Sequence, residues 1–543
     1  MRTVTELAGA LGLAEGEVAP AGPSTGKVRV RAVRERTSGA RRGKLILVTA
    51  MTPTRHGEGK TVTTIGLADG LARLGVRAVA CLRQPSLGPV FGVKGGATGG
   101  GRATVEPSTE INFGFTGDIH AVAAAHNLLA ALADNHVYHG NALGLDPSRY
   151  LWNRTLDAED RALRHIVVGD GVPKQIPYPS AFIIAAASEV MAILALAGGY
   201  DDLRERLDRI LVGFTRDGRP VRARDLQAGG AMAALLRHAL EPNLVQTAAG
   251  TPALVHAGPF GNLAHGTCSR LAIQLALATS DYAVVEAGFA TELGAEKFVD
   301  IVTPVVGADV DAAVLVVTQR GLRVQGGASD EESARPALPA LERGLANLEQ
   351  HLANLSALGA ATTVALNRFP GDSAEEAERV RAFCRDRGVE LVDSRGFELG
   401  AEGTVELARA AERAVGLGRR TRPLYPAGTP LVRQIETIAR RLYGADGVDE
   451  RPAAAEGRSA LERIEEATGP VCMAKTPLSL SDDAHRLNRP SGFRVSVHRY
   501  ARAAGAGFTV AFLGSIEAMP GLPAHPASEA IGIGPDGEVT GVR

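Results

Sequence analysis

The chain has 543 residues, more than one hydrophobic core normally covers, so about two to four domains are expected. Its 45% hydrophobic and 22% charged residues exclude a disordered or collagen-like protein. A net charge of −1 and an aromatic content of 4% give no basic footprint and few base-stacking platforms, so no nucleic-acid partner is expected. In chain order, the opening MRTVTELAGALGLAEGE has no apolar run of signal-peptide length, because Glu6 and Glu15 bracket it. Apolar runs at 45–49, 78–82, 210–214, 253–257, 282–286, 313–318, 363–367 and 390–393 read as strands. Amphipathic stretches at 61–74, 119–135, 231–239, 341–358 and 374–387 read as helices. Strands rich in Val and Ile, separated by helices, predict an α/β fold: a P-loop-type, mostly parallel sheet covered by helices. The stretch 182–199, FIIAAASEVMAILALAGG, is the most membrane-like, but Ser188 and Glu189 sit at its centre. A charge there costs several kcal/mol in a bilayer, so a buried segment ending in a packed helix is expected, and no membrane partner.

Residues 419–430, RRTRPLYPAGTP, are basic and proline-rich and suggest a boundary. Beyond Val471, short strands at 493–499 and 508–512 read as a small α+β unit. The expected division is a nucleotide-binding and catalytic core over 1–358, a smaller α/β domain over 359–450 and a C-terminal α+β domain over 451–543. Cys81, Cys268, Cys384 and Cys472 lie far apart without CxxC spacing, which points to a reducing cytoplasm rather than a disulfide or zinc framework.

The strongest local signal is LILVTAMTPTRHGEGKTVTTIGLADGLARLG at 45–75. A buried strand runs into Thr54, Gly57, Glu58, Gly59, Lys60 and Thr61, and a helix follows. Backbone N–H groups there can wrap phosphates, Lys60 can neutralise the outer ones and Thr61 can hold Mg²⁺. Thr54 stands where the usual GxxxxGK[ST] pattern has its first glycine. A second glycine-rich stretch, RQPSLGPVFGVKGGATGGG at 83–101, carries Arg83 and Lys94 just past a strand end, and reads as a loop lining the same crevice with Arg83 aimed at an anion.

From these two segments onward the sequence resembles formate–tetrahydrofolate ligases. The motifs run through almost the whole chain: KLILVTAMTP (44–53), GEGKT (57–61), PSLGPVFGVKGG (85–96), FTGDIHAV (115–122), DRALRHIVVG (160–169), GPFGNLAHG (258–266), EAGFATELGAEKF (286–298), LNRFPGD (366–372) and VCMAKTPLSLSDD (471–483). The resemblance implies that MgATP phosphorylates formate and that an amine of tetrahydrofolate then attacks the formyl phosphate. By matched position it implies catalytic roles for Lys60, Arg83 and Asp118, substrate contacts from Arg83 and Gln84, and a pteridine clamp of Phe369, Pro370 and Phe397 in the second domain. It further implies a cytoplasmic homotetramer in one-carbon metabolism that uses a monovalent cation, K⁺ or NH₄⁺. Read from the residues alone, Asp118 suits a helix N-cap, Phe369 a core position at a strand end, and His120, His126 and His136 ordinary helix positions.

Several positions depart from the family pattern. Gln84 replaces a glutamate, Phe397 a tryptophan, Ile183 an aspartate, Gln325 a histidine and Ser515 an aspartate. Lys60, Thr61, Arg83, Asp118 and Phe369 keep the pattern. The departures leave three readings: an ordinary ligase; a paralogue that makes formyl or another small acyl phosphate but delivers it to a non-folate amine, with specialised metabolism as its setting; and a nucleotide-binding scaffold without turnover.

Overall fold

The computed structural model describes residues 1–38, 43–464 and 469–542. Its centre is a parallel array of β1 (Lys44–Ala50), β2 (Ala78–Leu82), β3 (Pro252–Val255), β4 (Tyr282–Glu286), β5 (Ala312–Val317), β6 (Thr362–Asn367) and β7 (Glu390–Ser394), in the order β3-β2-β4-β1-β5-β6-β7. The alternation along β1 explains why both faces must be covered. Leu45 and Leu47 join one buried cluster, while Ile46, Val48 and Ala50 join the other. On the second side lie helix α1 (Lys60–Arg73), through Ile65, Leu67 and Leu71, and the helix Val405–Gly416, through Leu407, Ala408 and Ala411. The first side is closed by the helices Arg270–Thr279 and Leu338–Ala357. The chain leaves β1 toward β2 on one side and returns from β4 to β5 on the other. This reversal opens a crevice at the carboxyl ends of β1 and β4, where α/β sheets bind ligands.

The sheet is mostly parallel, as expected, and one expectation changes. The run at 210–214 is a strand, Leu211–Thr215, but it lies outside the central sheet, in a small antiparallel one with Pro220–Arg222 and Leu145–Tyr150. Both environments bury Leu and Val side chains, so hydrophobicity alone does not separate them. The central sheet is also extended antiparallel, by Asn243–Thr247 against β3 and then by Gly26–Val28.

The membrane-like stretch forms a short strand, Phe182–Ile184, then the buried helix Glu189–Leu196. Its two central polar residues are both used: the Ser188 hydroxyl accepts the Val190 N–H at 3.1 Å, and Glu189 accepts the Gly505 N–H at 2.7 Å. Among the described residues no helix is long and apolar enough to cross a membrane. All four cysteines are buried free thiols.

Toward the C-terminus, Gly447–Glu450, Arg494–Ala503, Phe508–Leu513 and Val471–Ala474 form a second, mixed sheet in that order. Its Val471, Cys472 and Val495 belong to the same buried cluster as Leu45 of β1. The tail then folds back over the core. Ile184 donates its N–H to Ala518 O at 2.9 Å, and the turn Ala527–Glu529 packs on the wide helical turn Val90–Lys94.

Candidate active site

The phosphate loop bridges the end of β1 and the start of α1. Gly57 and Gly59 adopt φ of +74° and +75°, and a Cβ on Gly59 would come within 2.2 Å of Asn367 Nδ2, so glycine is required there on both counts. The missing first glycine is compensated by Glu58. Its Oε1 accepts the Thr54 N–H at 2.8 Å, its Oε2 accepts the Thr318 hydroxyl, and Thr54 O accepts the Gly57 N–H at 3.2 Å. Glu58 is thus a brace inside the loop, 2% exposed, and offers a phosphate only its backbone.

Lys60 and Thr61 open α1 beside the last residue of β4, Glu286. The Thr61 hydroxyl donates to Glu286 Oε2 at 2.7 Å, and Arg83 Nη2 lies 3.5 Å from Glu286 Oε1 while its Nη1 donates to Pro259 O at 3.4 Å. Thr61, Arg83, Gln84, Lys94, Phe260 and Glu286 line one cavity of about 80 Å³. Arg83 and Lys94 share the cavity with Glu286, and Lys60, just outside its lining, is attracted to the same carboxylate. Burial pushes the Lys60 ammonium below its usual range, Glu286 and Glu58 oppose this, and Arg83 adds to it. Desolvation by the crevice walls, followed by Arg83, brings Lys94 down to about 8, although its side chain keeps contact with solvent at the mouth. An anion between these cations relieves all three repulsions.

Gln84 is 2% exposed, and neither Oε1 nor Nε2 of its amide has a hydrogen-bond partner among the described residues, although the side chain lines the cavity. The orphaned amide is a ready contact for a polar guest.

Asp118 lies apart from this group. It is the first residue of helix α2 (Asp118–Tyr138), whose N-cap is Gly117 at φ +80°, so the N-cap alternative does not hold. Its carboxylate is taken up by Lys27 Nζ at 2.6 Å and by Asn243 Nδ2 at 2.8 Å. The cluster is buried at the β3 side of the rim, and burial lowers the Lys27 ammonium against the opposing pull of Asp118. His126 is a packing residue: its ring lies 4.2 Å from that of Trp152 and bonds Ser188 and Asn153 O.

Phe369 and Phe397 follow the ends of β6 and β7. Their ring centroids are 6.1 Å apart with planes inclined at 46°, and each residue is 38% exposed, with Pro370 exposed alongside. Phe397 is seated on the second glycine-rich stretch: its carbonyl accepts the Arg102 N–H at 2.9 Å, and a Cβ on Gly101 would meet that carbonyl oxygen at 2.1 Å. A flat guest stacked on both rings needs about 7 Å between them, twice an ordinary contact distance, so one ring must swing to admit it.

The entire chain, residues 1–543, matches the family model described as formate--tetrahydrofolate ligase. Curated formate--tetrahydrofolate ligases from Myxococcus xanthus and Paracoccus denitrificans are each 48% identical to it. The first alignment covers 100% of this chain and 99% of the relative; the second covers 99% and 97%. A third, from Thermus thermophilus, is 48% identical over 99% of this chain and 98% of its own. The chain belongs to the formate–tetrahydrofolate ligase family.

Of the positions that depart from the formate–tetrahydrofolate ligase pattern, Gln84 and Phe397 stand at the cavity and the aromatic pair. Gln325 does not: it is buried, with its Oε1 accepting the Asn488 N–H at 2.8 Å. Ile183 pairs with Thr155 in a two-stranded ladder, and Ser515 is exposed. Glu286 escapes sequence reasoning. Its signal is a charged residue closing an otherwise apolar parallel strand, at the end where such sheets bind ligands.

Proposed function

We propose that this protein activates formate with MgATP as formyl phosphate and transfers the formyl group to tetrahydrofolate, releasing 10-formyltetrahydrofolate, ADP and phosphate. The observation that carries this reading is the confrontation of Lys60, Arg83 and Lys94 with the carboxylate of Glu286 beside a phosphate loop. A formate oxygen attacks the γ-phosphorus and ADP leaves; the amine nitrogen then attacks the formyl carbon, phosphate leaves and the amine proton passes to phosphate or water. The loop backbone and Lys60 hold the nucleotide phosphates, and Arg83 clamps the acyl phosphate. Catalysis is then chiefly positioning and charge neutralisation. The hydroxyl of Thr61 and the carboxylate of Glu286 are adjacent hard oxygen donors that fit Mg²⁺ and would hold it. Gln84 contacts the acyl group, and Phe369, Pro370 and Phe397 take the pteridine. Asp118, saturated by Lys27 and Asn243, supports the rim of the site instead of facing the reacting atoms.

The same proposal includes the units 1–358, 359–450 and 451–543, a cytoplasmic homotetramer and a monovalent cation. The test is ADP release from MgATP and formate, with and without tetrahydrofolate, while formylated folate is followed. Stoichiometric formylated folate supports the proposal. Formate-dependent ADP release without folate product points to a non-folate amine acceptor, and no formate-dependent release at all to a scaffold.

A further inference from the structure

We propose that Lys475 is a positioning residue for the nucleotide: by countering Glu292 it keeps His351 in the form that fixes the stem of the phosphate loop. The inference rests on that loop being the nucleotide site. Thr52 lies between the end of β1 and Thr54, and its backbone N–H and hydroxyl are 2.8 and 2.9 Å from His351 Nε2. A backbone N–H only donates, so Nε2 carries no hydrogen. The hydrogen of the neutral ring is then on Nδ1, 2.7 Å from the Thr291 hydroxyl oxygen, which accepts it. This arrangement exists only for neutral histidine, because an imidazolium would set one N–H against another.

His351 is fully buried on the helix Leu338–Ala357. The charged groups that act on it are Glu292, whose Oε2 lies 3.8 Å from Nδ1, and Lys475, whose Nζ lies 3.3 Å from Glu292 Oε1. Thr291, Asn347 and Asn354 complete the surroundings as neutral partners of the network. Glu292 Oε2 has no hydrogen-bond partner among the described residues, so this carboxylate draws a proton toward the imidazole. Lys475 counters it. Its ammonium is itself fixed by Thr476 O at 3.0 Å and Ser479 O, and lies 5.1 Å from the centre of the Tyr443 ring. Burial brings His351 down to about 4, with Glu292 pulling up and Lys475 pushing down. Glu292 also favours the charged form of Lys60, but less than Glu286 and Glu58 do. A lysine from the C-terminal segment thus keeps a ring neutral so that the ring can hold the loop stem at the far side of the crevice.

The experiment is calorimetric titration of the whole protein with MgADP between pH 5.5 and 8, for wild type, Lys475→Met, His351→Leu and Lys475→Met/Glu292→Gln, with circular dichroism as the folding check. Removing Lys475 leaves Glu292 uncompensated and raises the imidazole pKa. MgADP binding of Lys475→Met is then expected to weaken about threefold from pH 8 to pH 5.5, while wild type stays flat across that range. The double variant removes both charges and is expected to return to within about threefold of wild type with a flat profile. His351→Leu is expected to weaken MgADP at least tenfold at every pH and to leave tetrahydrofolate binding unchanged. A folded Lys475→Met with wild-type affinity and profile overturns the proposal. So does a folded double variant that binds tenfold more weakly than wild type, a comparison that stands even if the single variant does not fold. A wild-type protein that binds no MgADP overturns the nucleotide site itself, and this inference with it.

Discussion

Thr61 and Glu286 are 225 positions apart in the sequence, yet the Thr61 hydroxyl donates to Glu286 Oε2 at 2.7 Å where α1 begins and β4 ends. The pair joins the phosphate loop to the strand beside β1 and sets a carboxylate of the cavity lining beside Arg83 and Lys94, within electrostatic reach of Lys60. Glu286→Gln keeps the shape and removes the charge. Turnover with MgATP is expected to fall by about two orders of magnitude, as for the loss of one preorganised electrostatic group. Metal-free ADP is expected to bind more tightly, because the three cations are no longer countered. Steady-state turnover checks the first and calorimetric titration with and without Mg²⁺ the second, and equal losses in the two titrations would remove the metal role.

Lys94 titrates at about 8 where an ordinary lysine stays protonated past pH 10. Its folded-state pKa is lowered, so the cationic form that attracts anions is nearly complete below about pH 7 and is lost as pH rises through 8. Affinity for ATP or phosphate is expected to decline above pH 8, with proton uptake on binding between pH 8 and 9. Lys94→Arg should abolish this basic limb, measured as KM for ATP from pH 6.5 to 9.5.

Asp118→Asn leaves the Lys27 ammonium buried without its counter-ion. Breaking a buried pair in this way costs about 3–5 kcal/mol, far more than loss of an exposed one. Urea unfolding is expected to show a loss of that order. Wild-type stability accompanied by lost turnover would instead place Asp118 in the chemistry.

The aromatic pair offers a separable prediction. Phe397→Ala is expected to raise KM for tetrahydrofolate by up to about tenfold, the worth of one ring stack, with KM for ATP unchanged. Phe397→Trp should lower the folate KM. Steady-state kinetics with each substrate varied in turn distinguishes this from a general disturbance of the crevice.

The central strands are legible in the sequence because a parallel strand covered on both faces is one uninterrupted apolar run, as in Leu45 to Val48. Leu211–Thr215 reads the same way yet joins an antiparallel sheet, because pairing partners are not encoded in a strand's own composition. Gly26–Val28 is not legible as a strand: it is short, and its lysine faces Asp118 inside the protein. Within the site, legibility follows sequence distance. Gly57 through Thr61 form a contiguous motif that carries its own phosphate-binding pattern. Glu286 acquires meaning only beside Thr61, and Lys475 only beside Glu292. The inward turn of Glu58 depends on Thr318, which no local pattern reveals.

The position of β1 between β4 and β5 has a consequence for biosynthesis. At about 5–20 residues per second, the ribosome completes β1 roughly ten to fifty seconds before β4 and β5 emerge to flank it. Throughout that interval a strand of Leu, Ile and Val has both edges open, the condition under which nascent chains pair wrongly with one another. The glycine-rich loop attached to β1 cannot be set until more than half of the polypeptide has been made. Slow elongation lengthens that interval, so yield is expected to depend on chaperone supply and elongation rate as well as on the stability of the finished enzyme.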